Sequence, residues 1–364
     1  MKMYNIGSGE ANNIGNPFQT FVGKDLYVGI DVHKVSWHVT LVCEGRVVKS
    51  MNIPGSWDVL KRILERFKGC RIYTVYEAGY FGYSLYDQLV HTGYNCTVVA
   101  PSLVPLMYGN KVKTDRGDST KLALLLWQGA LKSIYVPTEE ERSHRTVVRR
   151  YHQLVKDCVR TQVRIKAEVR FYNIPFPAVK GAWTKQFIEN LHRLTFRDRW
   201  LQESFSRLLS VYDHLRGEID KQRKVIYELA KIDRYRESVK LLRTIPGVGI
   251  LTAMEFLVEL QDVRRFGTGD KLAAYVGLTP SQHSSGQHVR MGRITRVGRG
   301  QLRAMLVEAA WILIRKDQVM RMKYEALKYR IGGKKAIVAI AHKLLLRARR
   351  VVLDGSPYRL DMAA

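Results

Sequence analysis

Four carboxylates in this chain stand where they could hold a pair of hard cations. Asp31 interrupts an otherwise apolar run, YVGIDVHK, beside Gly29. Glu77 ends a second apolar run in YEAGY, where Gly79 marks a turn. Asp115 and Asp118 lie three apart in KTDRGDSTKLA at the start of a helical pattern, which puts both on nearly one face. Mg²⁺ takes oxygen ligands, so two ions about 4 Å apart need several acids rather than a Cys or His cluster. One ion activates an attacking oxygen and the other stabilises a leaving one. Without metal, clustered acids repel and push some of their pKa values upward. Each acid also has an ordinary alternative: Asp31 as a turn former, Glu77 as a surface residue, Asp115 as a helix N-cap. The break that Asp31 makes in an apolar strand, and the order of all four along the chain, favour the joint reading.

A second group of reactive residues lies in GLTPSQHSSGQH, which offers Ser281, Ser284 and Ser285. Ser285 precedes a glycine, stands between His283 and His288, and is followed by arginines. Such a serine could attack phosphorus if the arginines stabilise the developing charge. A plain turn built from Pro280, Ser and Gly is the competing reading, and residue chemistry alone favours it. From Gln287 to Arg303 there are five arginines, Arg290, Arg293, Arg296, Arg299 and Arg303, and no acid. Three glycines among them, Gly292, Gly298 and Gly300, would let a phosphate strand approach closely; this signals phosphate contact rather than sequence readout. Lys113, just ahead of the acid pair, is counted with these contacts. TIPGVGILTA resembles the hairpin of a helix-hairpin-helix element, in which Gly247 and Gly249 would expose backbone N–H groups to phosphate. GVGI lacks the third glycine of a dinucleotide fingerprint, and no Walker A sequence is present, so strand exchange would have to conserve phosphodiester energy without ATP.

The elements that must position these residues read as follows. DLYVGIDVH, SWHVTLVCEG and GRVVKSMNI are three strand-like runs; Ser56–Lys68 has helical spacing; RIYTVYEAG is a fourth strand. A helix through Leu85 and Leu89, a fifth strand YNCTVVAP, and a helix after Asp115 complete the unit. Three strands, helix, strand, helix, strand, helix is the order of an α/β ribonuclease-H-like fold. Its first and fourth strands are neighbours, so the four acids can converge at one end of the sheet. The middle of the chain is heptad-patterned, through Val148, Tyr151, Val155, Cys158, Gln162, Ile165, Val169 and Tyr172, and again from Leu201 to Leu229. Two such arms make an intramolecular antiparallel hairpin, a dimerisation stalk, or ordinary bundle helices. From Val239 a mainly helical unit with basic loops follows.

Charge supports this division. Through residue 120 there are 13 Lys and Arg against 10 acids; after it there are 47 against 23, within a total net charge of +27. A near-neutral module followed by a basic one suggests catalysis joined to polyanion binding. The 46% hydrophobic content excludes a largely disordered chain. Four scattered cysteines exclude a zinc ribbon and argue against a disulfide scaffold. No apolar run approaches the roughly 18 residues of a membrane span. The expected domains are a loose tail (1–22), a catalytic domain (23–135), a helical coiled-coil or oligomerisation region (136–238) and a C-terminal domain (239–364), in a cytoplasmic protein without membrane contact.

Together, GIDVHK, YEAGY, KTDRGDSTKLA, IPGVG and GLTPSQHSSGQ with its arginine-rich sequel resemble the DEDD-type insertion-sequence transposases of the IS110 family, over nearly the whole chain after residue 22. The resemblance implies a domain similar to the RuvC Holliday-junction resolvase and a C-terminal transposase domain. It implies that Asp31, Glu77, Asp115 and Asp118 bind Mg²⁺, with Mn²⁺ as the alternative, and that Ser285 is the nucleophile, with Ser284 beside it. It further implies donor and target DNA and a structured non-coding guide (bridge) RNA as partners, and dimers that assemble into a tetramer. The rival readings are a structure-selective endonuclease with the same acids and no serine chemistry, and a nucleic-acid-binding protein that is not an enzyme.

Overall fold

Alternating apolar residues between positions 25 and 99 build a sheet with two differently covered faces. The computed structural model describes residues 21–105, 114–176, 181–285, 288–295 and 297–360. The chain divides into two compact units, Met1–Pro137 and Thr138–Ala364. Residues 1–20 of the expected tail lie outside the described residues; Phe21 already packs against Phe67, with ring centroids 6.1 Å apart.

In the first unit, β1 (Asp25–Val32), β2 (Ser36–Cys43) and β3 (Arg46–Pro54) form an antiparallel meander. After α1 (Trp57–Glu65), β4 (Arg71–Glu77) pairs parallel to β1, and after α2 (Ser84–His91), β5 (Asn95–Val99) pairs parallel to β4. The resulting order is β3-β2-β1-β4-β5, the mixed five-stranded arrangement that the element order of the sequence leads one to expect. Leu26, Val28, Ile30, Ile72 and Tyr76 point to one face and are sealed by Leu60, Leu64, Leu85 and Leu89 of α1 and α2. The opposite face carries α3 (Asp115–Trp127), whose Leu122 and Leu125 pack on Val75 and Val99.

Two features press α3 onto the sheet. A Cβ built on Gly29 would lie 2.0 Å from the Ser119 carbonyl and 2.6 Å from the Ala123 nitrogen, so only glycine lets the helix cross β1 this closely. Beside it, the Thr40 hydroxyl on β2 lies 2.8 Å from that of Ser119 and 3.2 Å from that of Thr120, and it shares a further bond with Ser50. Buried hydroxyls satisfied in this way fix the helix in register as well as in height.

The second unit is helical. The long helices α4 (Glu139–Phe171) and α6 (Arg199–Leu229) run antiparallel: Gln222 Nε2 donates to the Val147 carbonyl (2.8 Å) near one end, and Val169 and Phe205 share a core near the other. The intervening α5 (Lys185–His192) adds Phe187 and Leu191 to that core and was not foreseen from the sequence. Within the chain the two heptad arms pack on each other antiparallel and share a core with α5, as helices of a bundle also do.

The larger core unites Val148 and Ile226 with α7 (Asp233–Leu242), α8 (Ile250–Leu260), α9 (Gly269–Val276), α10 (Gly300–Lys316), α11 (Gln318–Ile331) and α12 (Gly333–Asp354). Between α9 and α10 the chain forms a two-stranded hairpin, β6 (Pro280–Ser285) and β7 (His288–Ile294), in the segment that residue chemistry alone would make a turn. No described helix is long and apolar enough to cross a membrane.

Candidate functional site

Side-chain alternation carries Asp31 to the α3 face of the sheet. Leu26, Val28 and Ile30 face α1 and α2, so Gly29 and Asp31 face the other way. Ile30 pairs with Tyr76 in the parallel ladder, and Val75 packs with α3, so Glu77 at the end of β4 follows on the same face, beside Asp31. The first turn of α3 supplies Asp115 and Asp118. Its N-cap is Thr114, whose hydroxyl accepts from the Gly117 N–H at 3.1 Å, so Asp115 is not spent on capping.

The closest group contains a residue to which the sequence reading gives no role. His33 lies just past β1, and its Nε2 is 3.1 Å from Asp31 Oδ2 and 3.6 Å from Asp115 Oδ1. One donor atom from each of Asp31, His33 and Asp115 lies within 4.8 Å of the other two, and among the described residues Glu77 and Asp118 stand outside that group. Asp31 is partly buried, and desolvation pushes its pKa up. The His33 ring opposes that shift, whereas the Asp115 and Asp118 carboxylates add to it. A carboxylate whose folded pKa lies above its unfolded value opposes folding when ionised; its stabilising share is present at low pH and is lost as pH rises through the folded pKa. Charge is therefore concentrated here at some cost to stability, as expected where it serves chemistry. A hard divalent cation fits this donor set, because it would relieve the repulsion among the acids and take their oxygens as ligands.

In the second unit, the serine-bearing hairpin is pinched at its base. A Cβ on Gly277 would meet the Val297 carbonyl at 1.9 Å, and one on Gly298 would meet the Tyr275 carbonyl at 2.0 Å. Arg303 Nη1 closes the pinch by donating to the Val276 carbonyl (2.9 Å), and the Thr295 N–H donates to the Thr279 carbonyl (3.1 Å). Ser285 ends β6 opposite His288, and Ser284 pairs with Val289. Arg290 pairs with His283 in the ladder, and Arg293 is an exposed residue of β7. Lys113 and Arg296 lie outside the described residues. Gly247 packs against the Ala309 carbonyl of α10, while Gly249 caps α8 at the surface with open space around it.

Arg299 and Arg303 are engaged inside the protein. Arg299 donates to the Tyr275 hydroxyl (3.1 Å) and lies 3.2 Å from Glu259 Oε2. Glu259, almost fully buried on α8, also accepts two bonds from Arg149 (2.6 and 2.9 Å) and lies 3.8 Å from Arg145. One turn away, buried Glu255 meets His152 at 2.9 Å. A face of α4 is thereby bound to α8, and Arg299 ties the base of the hairpin into the same ladder. A cavity of about 280 Å³ opens here, lined by Arg149, His152, Lys156 and Arg299 together with the two glutamates. Glu259→Leu should destabilise the fold by about 3 kcal/mol, because it leaves three guanidinium groups without their acid. Denaturant unfolding measures this, and a loss below about 1 kcal/mol would mean that solvent already neutralises the cluster.

Comparison with known proteins gives two matches in different parts of the chain. Residues 28–174 match a family described as transposase, of the DEDD type named for IS110, and residues 239–325 match the transposase IS116/IS110/IS902 family. The y4qE protein of Sinorhizobium fredii, named as a transposase, is 31% identical over 79% of this chain and 72% of its own length. The transposase for insertion sequence element IS1533 of Leptospira borgpetersenii is 28% identical over 92% and 98% of the two chains. A pilin gene-inverting protein of Moraxella bovis is 27% identical over 47% of this chain and 56% of its own.

Proposed function

The chain belongs to the IS110 family of DEDD transposases, and from that premise we propose that it cuts and rejoins donor and target DNA with a Mg²⁺-dependent acid site and the Ser285 hydroxyl. The observation that carries the acid half is the meeting of Asp31 and Asp115 where α3 crosses β1 at Gly29. Asp31, Glu77, Asp115 and Asp118 would hold the metal, with Mn²⁺ able to replace Mg²⁺. Bound there, the ion supplies Lewis acidity for phosphodiester chemistry. The close α3–β1 contact would hold the carboxylates in place, and a bound cation would offset their mutual repulsion.

The Ser285 hydroxyl attacks the phosphorus, a phosphoserine ester forms, and the departing deoxyribose oxygen takes up a proton. Attack by the hydroxyl of a new strand on that ester reverses the process: it releases the serine and joins the DNA. One phosphodiester is exchanged for another, which needs no ATP. The pinched base anchors the hairpin that carries Ser285 to the helical core, which is compatible with this reading. The gene-inverting relative supports a reaction that rejoins what it cuts. A RuvC-like endonuclease without serine chemistry is the alternative. Recombination of a plasmid carrying the element's flanking DNA, with Asp31→Ala and Ser285→Ala beside the wild type, separates the two.

The 47 Lys and Arg after residue 120 support binding of both DNA and a structured guide RNA in the cytoplasm. Lys113, Gly249, Arg290, Arg293 and Arg296 are the proposed phosphate contacts; Gly247, Arg299 and Arg303 would act mainly by shaping the surface that presents them.

Assembly into dimers and a tetramer would use the outer side of α4 and α6, where Val159, Val163 and Val211 are exposed. Leu208 and Leu215 pack into the core between these helices, so they are poor probes of assembly. Light scattering of the full chain should read a multiple of 41.9 kDa that falls in Val163→Lys/Val211→Lys. An unchanged mass in that variant would move the interface elsewhere.

A further inference from the structure

His33 occupies a place that a reading of four carboxylates leaves out. Its backbone N–H donates to the Ser36 carbonyl at 3.2 Å, closing the turn from β1 to β2. That turn brings the ring back over the end of the sheet, with Nε2 3.1 Å from Asp31 Oδ2 and 3.6 Å from Asp115 Oδ1. Donors bound side by side to one ion, each about 2.1 Å from it, lie about 3 Å apart, which is close to the spacing seen here. The side chain is about half exposed, so the ring can approach an ion without disturbing the core.

We infer that His33 is a nitrogen ligand of the acid site and tilts its metal preference from Mg²⁺ toward Mn²⁺. This rests on the reading of that site as one that binds a divalent cation. Mn²⁺ accepts an imidazole nitrogen beside carboxylates more readily than Mg²⁺, which strongly prefers oxygen and holds its waters. A His/Asp/Asp set therefore gains more with Mn²⁺ than an all-oxygen set does. The neutral ring contributes a lone pair through Nε2, and the two carboxylates contribute the negative charge.

The test is Mn²⁺ titration of the full-length protein followed by electron paramagnetic resonance, with electron spin-echo modulation reading nitrogen bound to the ion. Wild type should bind Mn²⁺ and show ¹⁴N modulation. His33→Gln and His33→Ala should lose the modulation and bind Mn²⁺ about tenfold more weakly. Their Mg²⁺ affinity, read by competition, should change by less than about threefold. Bound Mn²⁺ without ¹⁴N modulation in the wild type, or modulation that persists in both His33 variants, would overturn the assignment while leaving the acid site intact. Wild type without Mn²⁺ binding, or binding that survives in Asp31→Asn, would overturn the acid-site reading and the His33 assignment with it.

Discussion

Asp31→Ala should reduce DNA strand cleavage and joining by at least about a thousandfold while leaving the protein folded and able to bind DNA. Metal-assisted stabilisation of transition-state charge is worth several kcal/mol, and about 4 kcal/mol corresponds to three orders of magnitude. Asp31 is placed to contribute to that stabilisation, being less exposed than Asp115 and Glu77 and in contact with His33. Its removal should not weaken the fold through lost charge. Burial and two neighbouring carboxylates raise its pKa, so at neutral pH the ionised group opposes folding. The melting temperature of Asp31→Ala should match or exceed that of the wild type. DNA affinity should persist, because the excess of positive charge lies after residue 120. A variant that loses activity only because it unfolds would show a lowered melting temperature and would not bear on the chemistry.

Ser285→Ala should abolish recombination and any covalent protein–DNA adduct. Removing a nucleophile typically costs about 10⁴-fold or more, and in the proposed reaction the Ser285 ester is what stores the phosphodiester energy. The effect should be confined to chemistry, since Ser285 is the terminal residue of β6, away from the pinched base that fixes the hairpin. Ser284→Ala, one position earlier in the ladder, should recombine. If Ser285→Ala keeps cutting DNA and only joining is affected, the endonuclease reading gains; if Ser284→Ala is the dead variant, the nucleophile is its neighbour. Gel separation of denatured protein–DNA adducts reads the covalent step directly.

Much of the first unit was legible because each of its strands states its own pattern. Alternation in DLYVGIDV and RIYTVYE sets the two faces, and the break at Asp31 marks the end proposed to do chemistry. His33 was not legible: a single histidine after a strand looks like any exposed turn residue, and only the closing of the turn onto α3 gives it neighbours. The hairpin β6–β7 was missed because PSQHSSGQHVRMGRI has few of the branched and aromatic residues that announce strands. Its ends are held together by Gly277, Gly298 and Arg303, which act through tertiary contact.

The arginine-rich run shows a further limit of composition. Arg293 is exposed, as a phosphate contact must be, but Arg299 and Arg303 are held by Glu259, Tyr275 and backbone carbonyls. A count of cations cannot separate those that face solvent from those that brace a loop. Glu255 and Glu259 were hidden for the converse reason. Their spacing in LTAMEFLVEL gives no sign of the pairing, because their partners His152 and Arg149 lie 103 and 110 residues earlier in the chain.

The most direct measurement is recombination of a plasmid carrying the element's flanking non-coding DNA, in cells expressing wild type, Asp31→Ala or Ser285→Ala at equal soluble levels. Recombination in the wild type and none in either variant is the expected result, since the acid site and the serine would each be indispensable to one reaction. Recombination that survives in folded Asp31→Ala would contradict it.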